Sequence, residues 1–255
     1  MVRLSVNVNK IALIRNSRGG PIPDVLEAAR TCLEAGCHGI TVHPRPDARH
    51  ITHRDVYELA EVLRRNWKRA EFNIEGYPNP TFIDLVSRVV PDQVTLVPDP
   101  PDALTSNQGW KFNESTRWLV DVIRRLRDAK MRVSVFVEPD AQTVENAKVW
   151  GANRIELYTG PYAHAFGTPQ CAPILKAHIE AARLARRLGL GINAGHDLNL
   201  DNLPTYVREV RGLMEVSIGH ALICDAIYKG LKRTVGLYLK AVGKRTRDTS
   251  RARKK

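Results

Sequence analysis

Short apolar runs, rich in β-branched residues, recur along the chain and alternate with longer stretches of mixed polarity. Runs of this length and composition are typical of buried strands. They occupy residues 4–8, 39–43, 71–75, 93–97, 132–137, 154–158, 190–195 and 215–219. The pattern predicts strands that alternate with helices from one end of the chain to the other.

The intervening stretches carry apolar residues at helical spacing. The two clearest faces consist of Val56, Leu59, Ala60, Leu63 and Trp67, and of Leu119, Val122, Ile123 and Leu126. Asp24 and Asp140 each follow a proline where a helix should begin, and the glycines of LEAG (33–36) and RLGLG (187–191) stand where helices should end. Helices are therefore predicted between the strands.

Eight strands alternating with helices in about 240 residues predict a (β/α)₈ barrel with extra short helices. A doubly wound open sheet is the alternative. The even spacing, the lack of a compositional break, and the absence of a GxGxxG or GKS/T loop after the first strand favour the barrel. We expect one domain over residues 1–243.

Composition fits a globular protein, with 43% hydrophobic and 26% charged residues. No apolar run approaches the roughly 20 residues of a membrane span, and the first ten residues enter a strand pattern without signal-peptide features. The four cysteines form no CxxC pair. They predict reduced packing residues in a cytoplasmic protein without membrane contact.

The formal net charge of +12 raises the question of nucleic-acid binding. Seven Lys or Arg and one Asp lie in residues 244–255, so half of the net charge belongs to the last twelve residues. A short basic run without apolar periodicity predicts a solvated, disordered tail. We expect no specific nucleic-acid partner, because such a run gives only salt-sensitive, non-specific affinity.

Polar and ionisable residues gather where the predicted strands end. In ITVHPRPDARH (40–50) the β-branched run stops at His43, because the prolines that follow cannot donate to a strand ladder. The corresponding groups at other strand ends are Asn7, Asn9, Lys10, Arg15, Arg18, Arg45, Glu75, Glu156, His196, Asp197, Gly219 and His220. The carboxyl ends of barrel strands meet at the active site, so these residues predict one there.

Two features of this predicted mouth point to a phosphorylated ligand. Gly219 leads into a predicted helix, and glycine lets backbone N–H groups at a helix N-terminus approach an anion. Arg18 and Arg45 add fixed positive charge. Each strand-end residue alone could be structural. A metal site is an alternative, but no HExxH or HxH pair occurs, so acid–base chemistry is favoured.

Seven motifs in register closely resemble the pyridoxine 5-phosphate synthase family of vitamin B6 biosynthesis. They are VNVNKIALIRNSRGG, GITVHPRPDARHIT, FNIEG, QVTLVPD with LTSNQG, IELYTGPYA, NAGHDLNL and SIGHALI. The resemblance implies a (β/α)₈ barrel, usually octameric, that condenses 3-amino-2-oxopropyl phosphate with 1-deoxy-D-xylulose 5-phosphate. It implies neither metal nor organic cofactor.

The resemblance also implies roles for individual residues. His43 resembles a general acid/base, Glu75 the general base and His196 the proton donor, while Glu156 resembles the group that stabilises charged intermediates. The set implied to hold aminooxopropyl phosphate is Asn7, Arg18, Gly219 and His220. Arg45, His50 and Thr105 are implied to hold deoxyxylulose phosphate, and Asp197 belongs to the same AGHD motif as His196.

Asn9-Lys10 departs from the family pattern, in which Asp-His contacts deoxyxylulose phosphate. Lys10 therefore leaves open another phosphosugar enzyme, such as an aldolase with a Schiff-base lysine. A non-catalytic phosphometabolite binder with an RNA-recruiting tail is a further alternative. For the synthase, residues 97–109 are the expected lid, because the segment is long for a barrel loop.

Overall fold

The computed structural model describes residues 1–99 and 107–243, which form a closed barrel of parallel strands in the order β1 to β8. The strands are β1 (Arg3–Asn7), β2 (Gly39–Val42), β3 (Glu71–Gly76), β4 (Gln93–Leu96), β5 (Arg132–Val137), β6 (Arg154–Leu157), β7 (Gly191–His196) and β8 (Leu213–Ile218). Ser5 of β1 lies opposite both Gly39 of β2 and Ser217 of β8, so the sheet has no open edge.

The predicted (β/α)₈ barrel is confirmed and the open sheet was the wrong alternative. Every predicted strand lies within two residues of the observed bounds. The alternation was readable because parallel barrel strands are buried on both faces and therefore carry β-branched runs.

Helices surround the barrel, and β1, β6 and β8 are each followed by two of them, which confirms the extra short helices. The helices are α1 (Asn9–Asn16), α2 (Val25–Glu34), α3 (His53–Asn66), α4 (Pro80–Val89), α5 (Leu119–Asp128), α6 (Ala141–Val149), α7 (Gly160–Ala165), α8 (Cys171–Arg187), α9 (Leu203–Glu209), α10 (His220–Lys229) and α11 (Leu231–Ala241), with a 3-10 turn at Glu114–Thr116. No helix of the described residues is long and apolar enough to cross a membrane.

The predicted helix boundaries rest on local hydrogen bonds. The Asp24 carboxylate accepts from the N–H groups of Leu26 and Glu27, and Asp140 caps α6 in the same way. Gly36 and Gly189 follow α2 and α8 at positive φ, a conformation that glycine adopts without steric cost. The predicted apolar face of α3 is buried, except that Trp67 ends the helix and is half-buried.

The barrel interior is polar, while the apolar core lies between the barrel and its helices. Glu71 forms ion pairs with Arg3 at 3.0 Å and Arg132 at 2.5 Å near the amino ends of the strands. One level higher, the Ser5 and Thr41 hydroxyls lie 2.7 Å apart. Inward-facing side chains therefore depend on polar partners rather than on apolar packing.

We predict that Glu71→Gln lowers the free energy of unfolding by about 3 kcal/mol, because it leaves partly buried arginines without their counter-charge. Urea denaturation at pH 7 measures the change. The matched control is Glu114→Gln, which removes an exposed ion pair with Arg117 and should change stability by less than about 0.5 kcal/mol. Equal effects of the two substitutions would contradict the assignment.

The tail at 244–255 lies outside the described residues, so the boundary at residue 243 stays a prediction.

Candidate active site

A cavity of about 490 Å³ opens at the carboxyl ends of the strands. It is lined by Asn7, Asn9, Lys10, Leu13, His43, Arg45, Arg49, His50, Glu75, Glu156, His196, Asp197, Ser217, Gly219 and His220. These side chains come from β1, β2, β3, β6, β7 and β8 and from the segments that follow them. Barrel closure therefore brings together groups that are up to about two hundred residues apart in sequence.

Most of the predicted site residues line this cavity; among the described ones, Arg15 and Arg18 do not. Arg18 is exposed beyond the end of α1 and is not part of the lining, so the structure does not bring it to the other predicted groups. Thr105 lies outside the described residues, as does most of the expected lid. The roles implied for Arg18 and Thr105 remain predictions.

Sequence analysis missed Leu13, Arg49 and Ser217, which also line the cavity. Ser217 carried a readable signal, because it is the next-to-last residue of β8 and lies two positions before Gly219, which follows the strand end. Leu13 and Arg49 lie in a helix and a loop that fold back toward the mouth, for which strand periodicity gives no signal.

The segment after β2 is held in place by α1. The Asn9 side chain accepts from the His43 N–H at 2.9 Å, and the Asn16 amide donates to the His50 carbonyl at 2.7 Å. Arg15 forms two hydrogen bonds with the Asp55 carboxylate, at 2.5 and 2.9 Å. The loop that contains the two prolines is thus fixed by hydrogen bonds from α1.

Burial favours the neutral form of three histidines in the cavity. Burial lowers the pKa of His43 well below its usual value, with nearby Arg45 and His50 acting in the same direction. Burial also lowers the pKa of His196, and it lowers that of His50 to about 4. The His50 Nδ1 atom accepts from the Ile51 N–H at 2.9 Å, which leaves its ring proton on Nε2.

Two carboxyl groups in the cavity have raised pKa values. Burial is the main cause for Glu75, and the negative charge of Glu156 adds to it. Burial raises the pKa of Glu156 to about 7. The Asn7 amide donates to the Glu75 carboxylate over 3.4 Å, which fixes the carboxylate at the cavity wall. A carboxyl group that titrates near neutrality, as Glu156 does, is suited to proton transfer.

Arg45 forms a buried ion pair with Asp99, with 2.7 Å between Nη2 and Oδ2. Both side chains are at least 96% buried, being 4% and 3% exposed. The pair places the guanidinium at the cavity wall, next to the short segment that follows β4. A phosphate that approached Arg45 would meet a cation whose position is already fixed.

Backbone geometry completes the opposite wall. Gly219 precedes the first turn of α10, and a Cβ atom at this position would lie 3.0 Å from Asn7 Cβ, so a side chain there would crowd β1. His196 has a φ of 49°, an uncommon value for a residue with a side chain. The Thr159 hydroxyl donates to the Gly195 carbonyl at 2.5 Å and helps to hold this turn.

Within residues 1–99 and 107–243, no group of three or more His, Cys, Asp or Glu side chains is arranged to hold a metal ion. Acid–base groups dominate the described lining instead. The expectation of a site without cofactor stays a prediction.

The family model described as "Pyridoxal phosphate biosynthesis protein PdxJ" matches residues 4–244. The chain belongs to this family. It is 53% identical over 238 residues to the pyridoxine 5'-phosphate synthase of Bacteroides fragilis, covering 93% of this chain and 98% of that one. It is also 53% identical over 244 residues to the synthase of Cytophaga hutchinsonii, covering 96% of this chain and 100% of that one.

Solved structures of low sequence identity share the barrel. Phosphoribosyl anthranilate isomerase from Thermotoga maritima superposes with a TM-score of 0.61 at 14% identity, covering 95% of this chain and 98% of that one. A likeness at this identity extends to the fold alone. Family membership rests on the sequence matches.

We predict that Glu156→Gln reduces the loss of stability as pH rises between about 4.5 and 7. The Glu156 pKa is raised by folding, so its stabilising contribution is complete below the unfolded-state pKa and is lost as pH rises through about 7. The variant should therefore gain stability relative to the original chain across this window. Urea denaturation at several pH values tests this.

The exposed Glu180 provides the control, because Glu180→Gln should leave the pH profile unchanged. Parallel profiles for the original chain and Glu156→Gln would contradict the raised pKa.

Proposed function

We propose that the protein is a pyridoxine 5-phosphate synthase. It condenses 3-amino-2-oxopropyl phosphate with 1-deoxy-D-xylulose 5-phosphate to give pyridoxine 5-phosphate, inorganic phosphate and water. The observation that carries the proposal is the convergence of His43, Glu75, Glu156 and His196 on one cavity in a chain of this family. The deciding assay is formation of pyridoxine 5-phosphate from the two substrates without added metal.

The proposed catalytic roles are those implied by the family motifs. Amine–ketone condensation, enolisation and loss of water require a proton to be taken up and returned several times. Neutral His43 acts as acid/base, Glu75 as base and His196 as proton donor. Glu156 becomes negative as it ionises and can then stabilise a cationic intermediate. Burial raises the pKa of Glu75, which makes it a stronger base once it is ionised, and lowers the pKa of His196, which makes it a stronger acid once it is protonated.

Two phosphate positions are proposed at opposite walls. The turn of Gly219 and His220, with Asn7, holds aminooxopropyl phosphate at the N-terminus of α10. Arg45 and His50 hold deoxyxylulose phosphate, with Asn9 and Lys10 beside them. We further assign Asp197 to the substrate-binding wall, and Arg18 and Thr105 keep the roles implied by the family motifs.

The competing proposal is an aldolase-type enzyme with Lys10 as nucleophile, which is favoured by the position of Lys10 in the lining. Borohydride reduction in the presence of each substrate separates the two. A synthase of the proposed kind turns over without a trapped lysine adduct.

We also propose a cytoplasmic homo-oligomer. The four cysteines, all among the described residues, form no disulfide bond. Cys32 and Cys37 pack in the core, although Cys224 is exposed and is not the packing residue predicted from sequence. Tyr228 on α10 is 86% exposed and Ile227 is 67% exposed, which supports burial against another subunit. Light scattering after size-exclusion chromatography measures the subunit number, for which the family resemblance implies eight.

We predict that His43→Ala lowers turnover by at least ~10²-fold, because it removes a general acid/base. Glu75→Gln should have a similar effect, because it keeps the shape and removes the base. Steady-state formation of pyridoxine 5-phosphate is the measurement.

His164→Ala is the control, since this histidine lies on α7 and outside the cavity lining. Near-normal turnover of folded His43→Ala would refute the assignment.

We predict that Lys10→Ala weakens deoxyxylulose phosphate binding more than aminooxopropyl phosphate binding. The ammonium group acts as a point charge for an anionic substrate, so Lys10→Arg should retain part of the affinity. Calorimetric titration of the original chain and of Lys10→Ala with each substrate gives, for each substrate, the ratio of the two dissociation constants. Equal losses for both substrates would contradict the placement of Lys10.

A further inference from the structure

Ser217 lies on the inward face of β8 and lines the cavity, yet none of the family motifs gives it a role. It is 6% exposed. Its hydroxyl oxygen is buried and makes no hydrogen bond to the described residues. A buried hydroxyl without a partner is costly, so this position favours a bound group that completes its hydrogen bonding.

Ser217 carries the one hydroxyl side chain in the described cavity lining. The residues there include no other Ser, Thr or Tyr. The neighbouring Asn7 amide already has partners, because it accepts from the Asn9 N–H at 3.0 Å and donates to Glu75 at 3.4 Å. Ser217 is thus a neutral donor of this wall with hydrogen-bonding capacity left.

The depth of Ser217 determines which part of a ligand it can reach. It lies two residues before Gly219, and two residues span about 6.6 Å along a parallel strand. A phosphate at the Gly219 turn would place the rest of a three-carbon ligand toward Ser217. Gly195 of β7 pairs with Ser217, and a Cβ atom at Gly195 would clash with the Ser217 carbonyl oxygen, so the two strands approach closely at this level.

We propose that the Ser217 hydroxyl donates a hydrogen bond to the ketone oxygen of aminooxopropyl phosphate, an inference that rests on the proposed function. The phosphate is held by the Gly219 turn, and the amine must keep its lone pair free to attack the second substrate. The ketone oxygen is the remaining acceptor. Ser217 is therefore a substrate-contacting residue that selects for the ketone and orients the amine.

The test compares two ligands that differ at this oxygen. Aminooxopropyl phosphate carries the ketone, and 3-aminopropyl phosphate lacks it. Ser217→Ala should weaken binding of the ketone about 3- to 10-fold, the range of one neutral hydrogen bond, and should change binding of 3-aminopropyl phosphate less than about 2-fold. Calorimetry provides both affinities, and thermal unfolding checks the fold.

Ser134→Ala is the matched control. The Ser134 hydroxyl is also buried without a hydrogen bond to the described residues, but Ser134 does not line the cavity. This variant should leave both affinities unchanged. Ser217→Cys serves as a second substitution, because a thiol keeps the approximate shape and donates only weakly.

An equal loss of affinity for the two ligands in Ser217→Ala would overturn the inference. No loss of affinity for either ligand would also overturn it, and would mean that the hydroxyl binds only water. Failure of the proposed function is seen separately, as absence of pyridoxine 5-phosphate formation by the unsubstituted protein. The ligand comparison requires no turnover, so the two failures are distinguishable.

Discussion

Closure of the barrel is the constraint on which the remaining structure depends. Every second side chain of eight parallel strands must point into one enclosed interior, where an unpaired polar group is costly. In this chain the interior is polar at successive levels. Glu71 pairs with Arg3 and Arg132 near the amino ends of the strands, Ser5 and Thr41 meet above them, and Glu75 and His43 reach the cavity. The same alternation that builds the fold therefore also delivers the site.

Closure also explains why the site is assembled from distant parts of the chain. His43, Glu75, Glu156 and His196 come from or directly follow four different strands, and no local motif brings any two of them together. Their mutual positions follow from strand register and from the hydrogen bonds that fix each strand end. The Asn9 contact with the His43 N–H and the Thr159 contact with the Gly195 carbonyl are two such bonds.

Sequence patterns predicted what is repetitive and local. Strands were found because burial on both faces selects β-branched runs, and the Asp24 cap was found because its hydrogen bonds reach only two and three residues ahead. Which side chains reach the cavity was harder to predict from the sequence. Arg18 follows a strand end closely in sequence, but α1 intervenes and leaves it exposed. The Arg45–Asp99 pair joins residues 54 positions apart, which no single-sequence pattern reveals.

Burial acts in opposite directions on the two kinds of acid–base group in the cavity, and the result is a site of low internal charge. It lowers the pKa of His43 and His196, which favours the neutral imidazole. It raises the pKa of Glu75 well above its usual value and that of Glu156 to about 7, which favours the neutral acid. The Arg45–Asp99 pair contributes no net charge. Lys10 is less buried, so its positive charge lies nearer the mouth than the deeply buried groups. Burial thus places the groups that transfer protons apart from the charge that attracts the ligand.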